Sequence, residues 1–167
     1  MADPIILTVQ FDAASASFFE TARRTHFPPA LNKIPAHLTL FHALPGDDET
    51  RILEAVAAAA NRAPFKVAVD GLMPLGRGVA YRIASESLAS VRRTLADAFA
   101  DDLTRQDRER FRPHVTIQNK VTPETACATL AALSDGFRPF TATAEGLQLW
   151  WYRGGPWDPL AAVSFSG

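Results

Sequence analysis

A single cysteine, Cys127, among 167 residues excludes an internal disulfide and a thiolate metal cluster. The chain also lacks an excess of either charge. Its 17 Lys and Arg stand against 18 Asp and Glu, a formal net charge of -1. That balance lacks the broad basic excess expected of a protein that tracks long nucleic acid through many phosphate contacts, and leaves room for a small nucleotide or one end of an RNA as a ligand. No apolar run approaches the length of a membrane span. Residues Met1 to Gln10 show no charged stretch ahead of a long apolar one. The expectation is a cytoplasmic monomer with no membrane contact and no obligate protein partner. His-x-His, HExxH and cysteine clusters are missing, so neither a metal nor a cofactor is expected. There is no Gly/Ser linker or low-complexity tail, and 47% hydrophobic residues suffice for a real core, so the chain reads as one domain.

What is present is an order of elements that occurs twice. Ile5 to Phe11 is short, aliphatic and β-branched, and predicts a buried strand. Ala13 to Thr25, with Phe18, Phe19 and Ala22 on one face, predicts a helix that ends at Phe27-Pro28-Pro29. A strand from about Ala36 to Leu44 follows Ile34-Pro35. After it come a helix through Ile52, Leu53 and Val56, then strands over Phe65 to Met73 and Gly78 to Ala84 joined by a hairpin turn at Gly76. The series then restarts. Leu88, Val91 and Leu95 mark a helix, and Pro113 precedes a second motif strand. Thr122-Pro123 caps a helix with Gly136 just past its end, and a strand follows from Phe140. Pro64-Phe65-Lys66-Val67-Ala68-Val69-Asp70-Gly71-Leu72 aligns with Pro139-Phe140-Thr141-Ala142-Thr143-Ala144-Glu145-Gly146-Leu147. The chain therefore reads as a duplicated β-α-β-α-β unit, with halves at about 5–78 and 79–167.

Each half carries the same tetrapeptide pattern, His37-Leu38-Thr39-Leu40 and His114-Val115-Thr116-Ile117. Side chains alternate across a strand, so His37 and Thr39 share one face and Leu38 and Leu40 the other, as do their counterparts. Two motif strands facing each other across a pseudo-twofold axis would surround one cleft with two imidazoles and two hydroxyls. An imidazole with its ordinary pKa of about 6.5 can be either neutral or protonated near neutral pH, so a pair can take a proton at one atom and give one at another. Threonine hydroxyls donate hydrogen bonds to anionic oxygens. This set suits displacement at phosphorus without a metal. By simple parity Phe41 also faces the cleft, His42 faces packing or the strand exit, and Lys120 shares the face of His114 and Thr116. The aromatic cluster near the C-terminus offers Trp150 and Tyr152 as surfaces for stacking on a base. The Arg105 to Arg112 stretch alternates with acids and reads as a solvated loop, with Arg110 and Arg112 close to the second motif.

Two H-x-T-x motifs half a chain apart, in Pro35-Ala36-His37-Leu38-Thr39-Leu40 and Phe111-Arg112-Pro113-His114-Val115-Thr116-Ile117, make the sequence resemble the two-histidine (2H) phosphoesterase superfamily. The likeness is to its 2′-5′ RNA ligase and 2′,3′-cyclic phosphodiesterase branch, and it covers nearly the whole chain. The resemblance implies an α+β, bilobal fold with antiparallel sheets lining a central cleft. It implies hydrolysis of a 2′,3′-cyclic phosphate on a small nucleotide or RNA end to a 2′-phosphomonoester, with reversible 2′-5′ RNA ligation in some relatives. Carried over by motif, His37 protonates the departing O3′, His114 activates water, and Thr39 and Thr116 hold the non-bridging oxygens. Relatives often place an arginine soon after the second motif. Here the chain reads Gln118-Asn119-Lys120, which makes Lys120 the substitute and leaves Arg112 as a further substrate contact. The competing reading is a module that binds an RNA end or a nucleotide phosphate without turnover.

Overall fold

Strand order in the computed structural model, which describes residues 2–167, carries the duplication into three dimensions. The strands are β1 (Ile5–Phe11), β2 (Thr39–Leu44), β3 (Phe65–Pro74), β4 (Val79–Ala84), β5 (His114–Gln118), β6 (Phe140–Trp151) and β7 (Asp158–Ser164). They form one antiparallel sheet ordered β2-β1-β6-β3-β4-β5, with β7 paired to β6. The order is a palindrome of the repeat, because β1, β2 and β3 of the first half correspond to β4, β5 and β6 of the second. The halves do not fold separately. Strand β3 pairs with β4 of the second half, and β6 pairs with β1 of the first. Strand β6 is long enough to serve both sides, meeting β3 along Phe140–Ala144 and β7 along Gly146–Trp151. The sheet curls into a half-barrel with one motif strand at each end of the path.

Local chemistry sets the helices. In α1 (Ala13–His26), α3 (Glu86–Ala98) and α5 (Pro123–Ser134), the side chains of Asp12, Ser85 and Thr122 each accept a hydrogen bond from a first-turn amide. Such a cap satisfies one of the orphan donors at a helix start. Gly136 follows α5 at φ 81, a conformation that stops a helix at little cost only in glycine. The remaining helices are α2 (Glu49–Ala59) and the four-residue α4 (Arg105–Arg108), which occupies the stretch expected to be a loop. Helix α1 packs on β5, a strand of the other half, so each half helps to hold the other's motif.

Leu38, Leu40, Val115 and Ile117 are at most 2% exposed and belong to a single hydrophobic core. Burial of each stabilises the fold by about 1.5–3 kcal/mol, which fixes the register so that the histidines and threonines face outward. Regular alternation then breaks in both motif strands at the same place. Opposite β1, Thr8 pairs with Thr39 but Leu7 pairs with Phe41, so Leu40 is an extra, bulged residue. Opposite β4, Ala80 pairs with Thr116 but Val79 pairs with Gln118, so Ile117 is bulged. The ladder also slips at Asp70 and at Glu145, which the sequence alignment makes equivalent. A bulge moves every later side chain to the opposite face.

Candidate active site

Histidines 37 and 114 line one cleft of about 380 Å³ together with Thr39 and Thr116. His37 sits just ahead of the paired ladder of β2, which begins at Thr39 rather than at Ala36, and Leu38 O accepts from Val9 N–H at 3.0 Å. His114 opens β5. The two rings are fastened in the same way. His37 Nδ1 lies 2.8 Å from the Pro35 carbonyl oxygen, and His114 Nδ1 lies 2.7 Å from that of Arg112. A carbonyl only accepts, so Nδ1 carries the hydrogen in both rings and Nε2 is the nitrogen left for chemistry in the cleft. Two equivalent backbone contacts thus assign the tautomer of both catalytic candidates.

The surroundings of His37 lower its basicity. The mouth of the cleft gives the ring some solvent, but Trp157 stands 4.6 Å away, ring centre to ring centre, and the walls close over the rest. Burial is the main cause that pushes the imidazole from 6.5 down to about 4. The Pro35 carbonyl opposes the shift, while the Arg23 guanidinium and, when protonated, the His42 and His114 rings reinforce it. His37 is therefore neutral at pH 7, with the lone pair of Nε2 available.

Two buried arginines hold the bulges. Arg23, on α1, donates through Nη1 to the Thr116 carbonyl at 3.0 Å and through Nε to Asn32 Oδ1 at 2.8 Å. Arg92, on α3, donates through Nε to the Leu40 carbonyl at 2.8 Å and through Nη2 to the Asp107 carbonyl at 2.7 Å. Each guanidinium comes from one half of the sequence and satisfies a carbonyl at the bulge of the other. The reciprocity ties the spacing of the two motifs to the packing of the halves.

The bulges also correct three of the parity expectations. Phe41 does not line the cleft. It is fully buried, with its ring 5.8 Å from Phe99 and beneath the Arg92 guanidinium at 4.0 Å. His42 takes the cleft position instead. Its Nδ1 lies 3.1 Å from Asp107 Oδ1, and the carboxylate also accepts from the backbone N–H of His42 at 2.8 Å and of Ala43 at 3.0 Å. Burial raises the Asp107 pKa, but these hydrogen bonds outweigh it and hold the carboxyl below its ordinary value. Lys120 lies beyond the end of β5 at φ 64, exposed and away from the cleft, because the bulge at Ile117 and the left-handed turn break its register with His114.

Arg112 lines the cleft, with Arg110 beside it. Trp150 faces an adjoining hollow that shares His37 and Trp157, and its Nε1 donates to Thr8 Oγ1 at 3.0 Å. Tyr152 is 44% exposed and lies past the end of β6, outside both spaces, so it offers no stacking surface there. Sequence reasoning gave no cleft role to His42, Asp107, Arg92 or Arg23, whose places depend on bulges and on contacts between distant segments. Trp157, which lines the cleft, belongs to the C-terminal aromatic cluster singled out for stacking. Among the described residues, no group of three or more His, Cys, Asp and Glu side chains is placed to hold a metal ion, and no helix is long and apolar enough to cross a membrane.

The family model of the 2′-5′ RNA ligase superfamily matches residues 11–156. No curated protein matches the sequence. Among solved structures, the chain is similar to TT0787 of Thermus thermophilus, with 17% identity and a TM-score of 0.70 over 98% of each chain. It is also similar to E. coli LigT complexed with 3′-AMP, with 16% identity and a TM-score of 0.66 over 100% of each chain. A second LigT structure, complexed with NADP+, gives a TM-score of 0.61 at 16% identity over 100% of each chain. At these identities the likeness is one of fold.

Proposed function

Because the chain belongs to the 2′-5′ RNA ligase superfamily of phosphoesterase and ligase enzymes, we propose that it hydrolyses a 2′,3′-cyclic phosphate, on a small nucleotide or an RNA end, to a 2′-phosphomonoester. The observation that carries this reading is the pair of imidazoles in one cleft, both with Nδ1 bound to a carbonyl and Nε2 free. A binding module has no need of two matched proton carriers. The nucleotides bound by LigT, 3′-AMP among them, support the substrate class.

The low basicity of His37 favours an assignment opposite to the one implied by the family resemblance. In this mechanism neutral His37 takes a proton from water through Nε2. The water oxygen attacks phosphorus, the P–O3′ bond breaks, and His114 gives its Nε2 proton to O3′. Thr39 and Thr116 donate hydroxyl hydrogen bonds to the non-bridging oxygens, where negative charge grows. Proton count balances, because one enters at His37 and one leaves from His114. Neither step calls on a metal, and chelator treatment is expected to leave the rate unchanged.

The same pKa sets the pH dependence. A base works only when neutral, and burial lowers the His37 value from 6.5 to about 4. The acidic limb of kcat/KM should therefore persist down to about pH 4 instead of falling away below 6.5. Trp157→Ala opens the ring to water and should move that limb back toward 6.5, so that the variant loses rate at pH 5 to 6 where the native protein keeps it. A rate-against-pH profile of both proteins on 2′,3′-cyclic AMP, read by phosphorus NMR for 2′- against 3′-phosphate product, tests mechanism and product together. A limb near 6.5 in the native protein, or a 3′-phosphate product, contradicts the proposal.

A further inference from the structure

We propose that His42, oriented by Asp107, and Arg110 form a subsite for a second phosphate, the one on the 5′ side of the nucleotide whose cyclic phosphate reacts. The proposal rests on the cyclic phosphodiesterase reading for the identity of the first phosphate.

The bulge at Leu40 brings His42 onto the wall of the cleft, three residues beyond Thr39. His42 and the histidine pair line the same cleft of about 380 Å³, a space of the size that holds one small ligand. Its imidazole is held for an incoming group. Nδ1 is committed to Asp107, the ring is 49% exposed, and Nε2 has no partner among the described residues. Asp107 itself is spent. Its side chain is 1% exposed and its two oxygens accept from two backbone amides and the ring, so the carboxylate is not available to a ligand.

The rest of this wall selects the ligand's charge. Arg110 and Arg112 both line it, and guanidinium groups stay charged at any working pH, against one free carboxylate there, Glu109. Arg92 adds a third guanidinium behind the wall, bound to backbone carbonyls. An anion fits this balance better than the edge of a base. A nucleotide bound with its cyclic phosphate between His37 and His114 carries its next anion at the 5′ oxygen, either as a free 5′-phosphate or as the phosphodiester of an RNA strand. Both present phosphate oxygens to the Arg110 guanidinium and, with the ring as an imidazolium beside the Asp107 carboxylate, to His42 Nε2–H.

Calorimetric titration tests this with three ligands: adenosine 2′-monophosphate, adenosine 2′,5′-bisphosphate, and ApA bearing a terminal 2′-phosphate. In the native protein the second phosphate should tighten binding about tenfold, and His42→Gln and Arg110→Gln should each bring the affinities close to parity. Asp107→Asn should do the same even where its folded fraction, read by circular dichroism, is unchanged. A gain confined to the dinucleotide identifies an RNA terminus as the source, and a gain confined to the bisphosphate identifies a free nucleotide. Equal affinity for all three ligands, or a gain that survives both His42→Gln and Arg110→Gln, overturns the subsite. Turnover of 2′,3′-cyclic AMP, measured alongside, separates the two readings. Turnover without a second-phosphate gain refutes the subsite alone, and a gain without turnover refutes hydrolysis while the subsite stands.

Discussion

Replacing either His37 or His114 by alanine should lower kcat for 2′,3′-cyclic AMP by about 10²–10⁴, with melting temperature nearly unchanged. The rings face the cleft and not the core, so their loss leaves no buried cavity. The double variant should be little worse than the worse single one, because the groups act in one proton relay and their effects do not add. The two roles can be told apart by a leaving group that departs without a proton. With 3′-deoxyadenosine 2′-(4-nitrophenyl phosphate), nitrophenolate takes the place of O3′ and needs no acid. His114→Ala should recover most of its loss on this ester and His37→Ala should not, because water must still be deprotonated. Recovery by His37→Ala instead would restore the roles implied by the family resemblance.

Arg92→Leu should destabilise the fold by about 3 kcal/mol. The side chain satisfies the Leu40 and Asp107 carbonyls in a buried setting, and an unsatisfied buried acceptor costs about 1–3 kcal/mol. Leucine keeps some of the packing against Phe41 and removes a buried charge, so the cost stays below the sum for two orphaned groups and a cavity. For a chain of this size that corresponds to a fall in melting temperature of about 6–12 °C. Arg93→Leu, one residue along α3 and exposed, should stay within about 0.5 kcal/mol. Arg92→Leu should also lower kcat at temperatures where it is folded, since the carbonyl it releases belongs to the bulge that follows Thr39. Equal melting temperatures for the two variants would show that the bulge is held by other contacts.

Much of this architecture is legible along the chain because its causes are local. Alternation of polar and aliphatic residues in His37-Leu38-Thr39-Leu40 and its counterpart states which side is core, and Leu38, Leu40, Val115 and Ile117 are buried as that pattern requires. Thr122, Pro123 and Gly136 bound their helix as capping chemistry dictates. Residues beyond each motif threonine were misread because counting in twos assumes an unbroken ladder. One extra residue exchanges Phe41 with His42, and another removes Lys120 from the face of His114. Bulges have no short signature when the bulged residue is an ordinary leucine or isoleucine. Asp107 was hidden for a different reason. It sits in a run of alternating charges that looks solvated, and only the fold of α4 against β2 turns it inward to the amides of His42 and Ala43. The exchange of β3 and β6 between halves is equally silent in sequence, since either half would present the same pattern if it paired with itself.

The most direct test of the paired imidazoles is nitrogen-15 NMR of the histidine side chains, titrated with adenosine 2′-monophosphate. His37 and His114 should both show the Nδ1–H tautomer in their neutral forms, His37 should remain neutral far below pH 6.5, and Nε2 of both rings should shift together as the phosphate binds. An Nε2–H tautomer in either ring, or a phosphate that moves the signals of only one of them, contradicts the account.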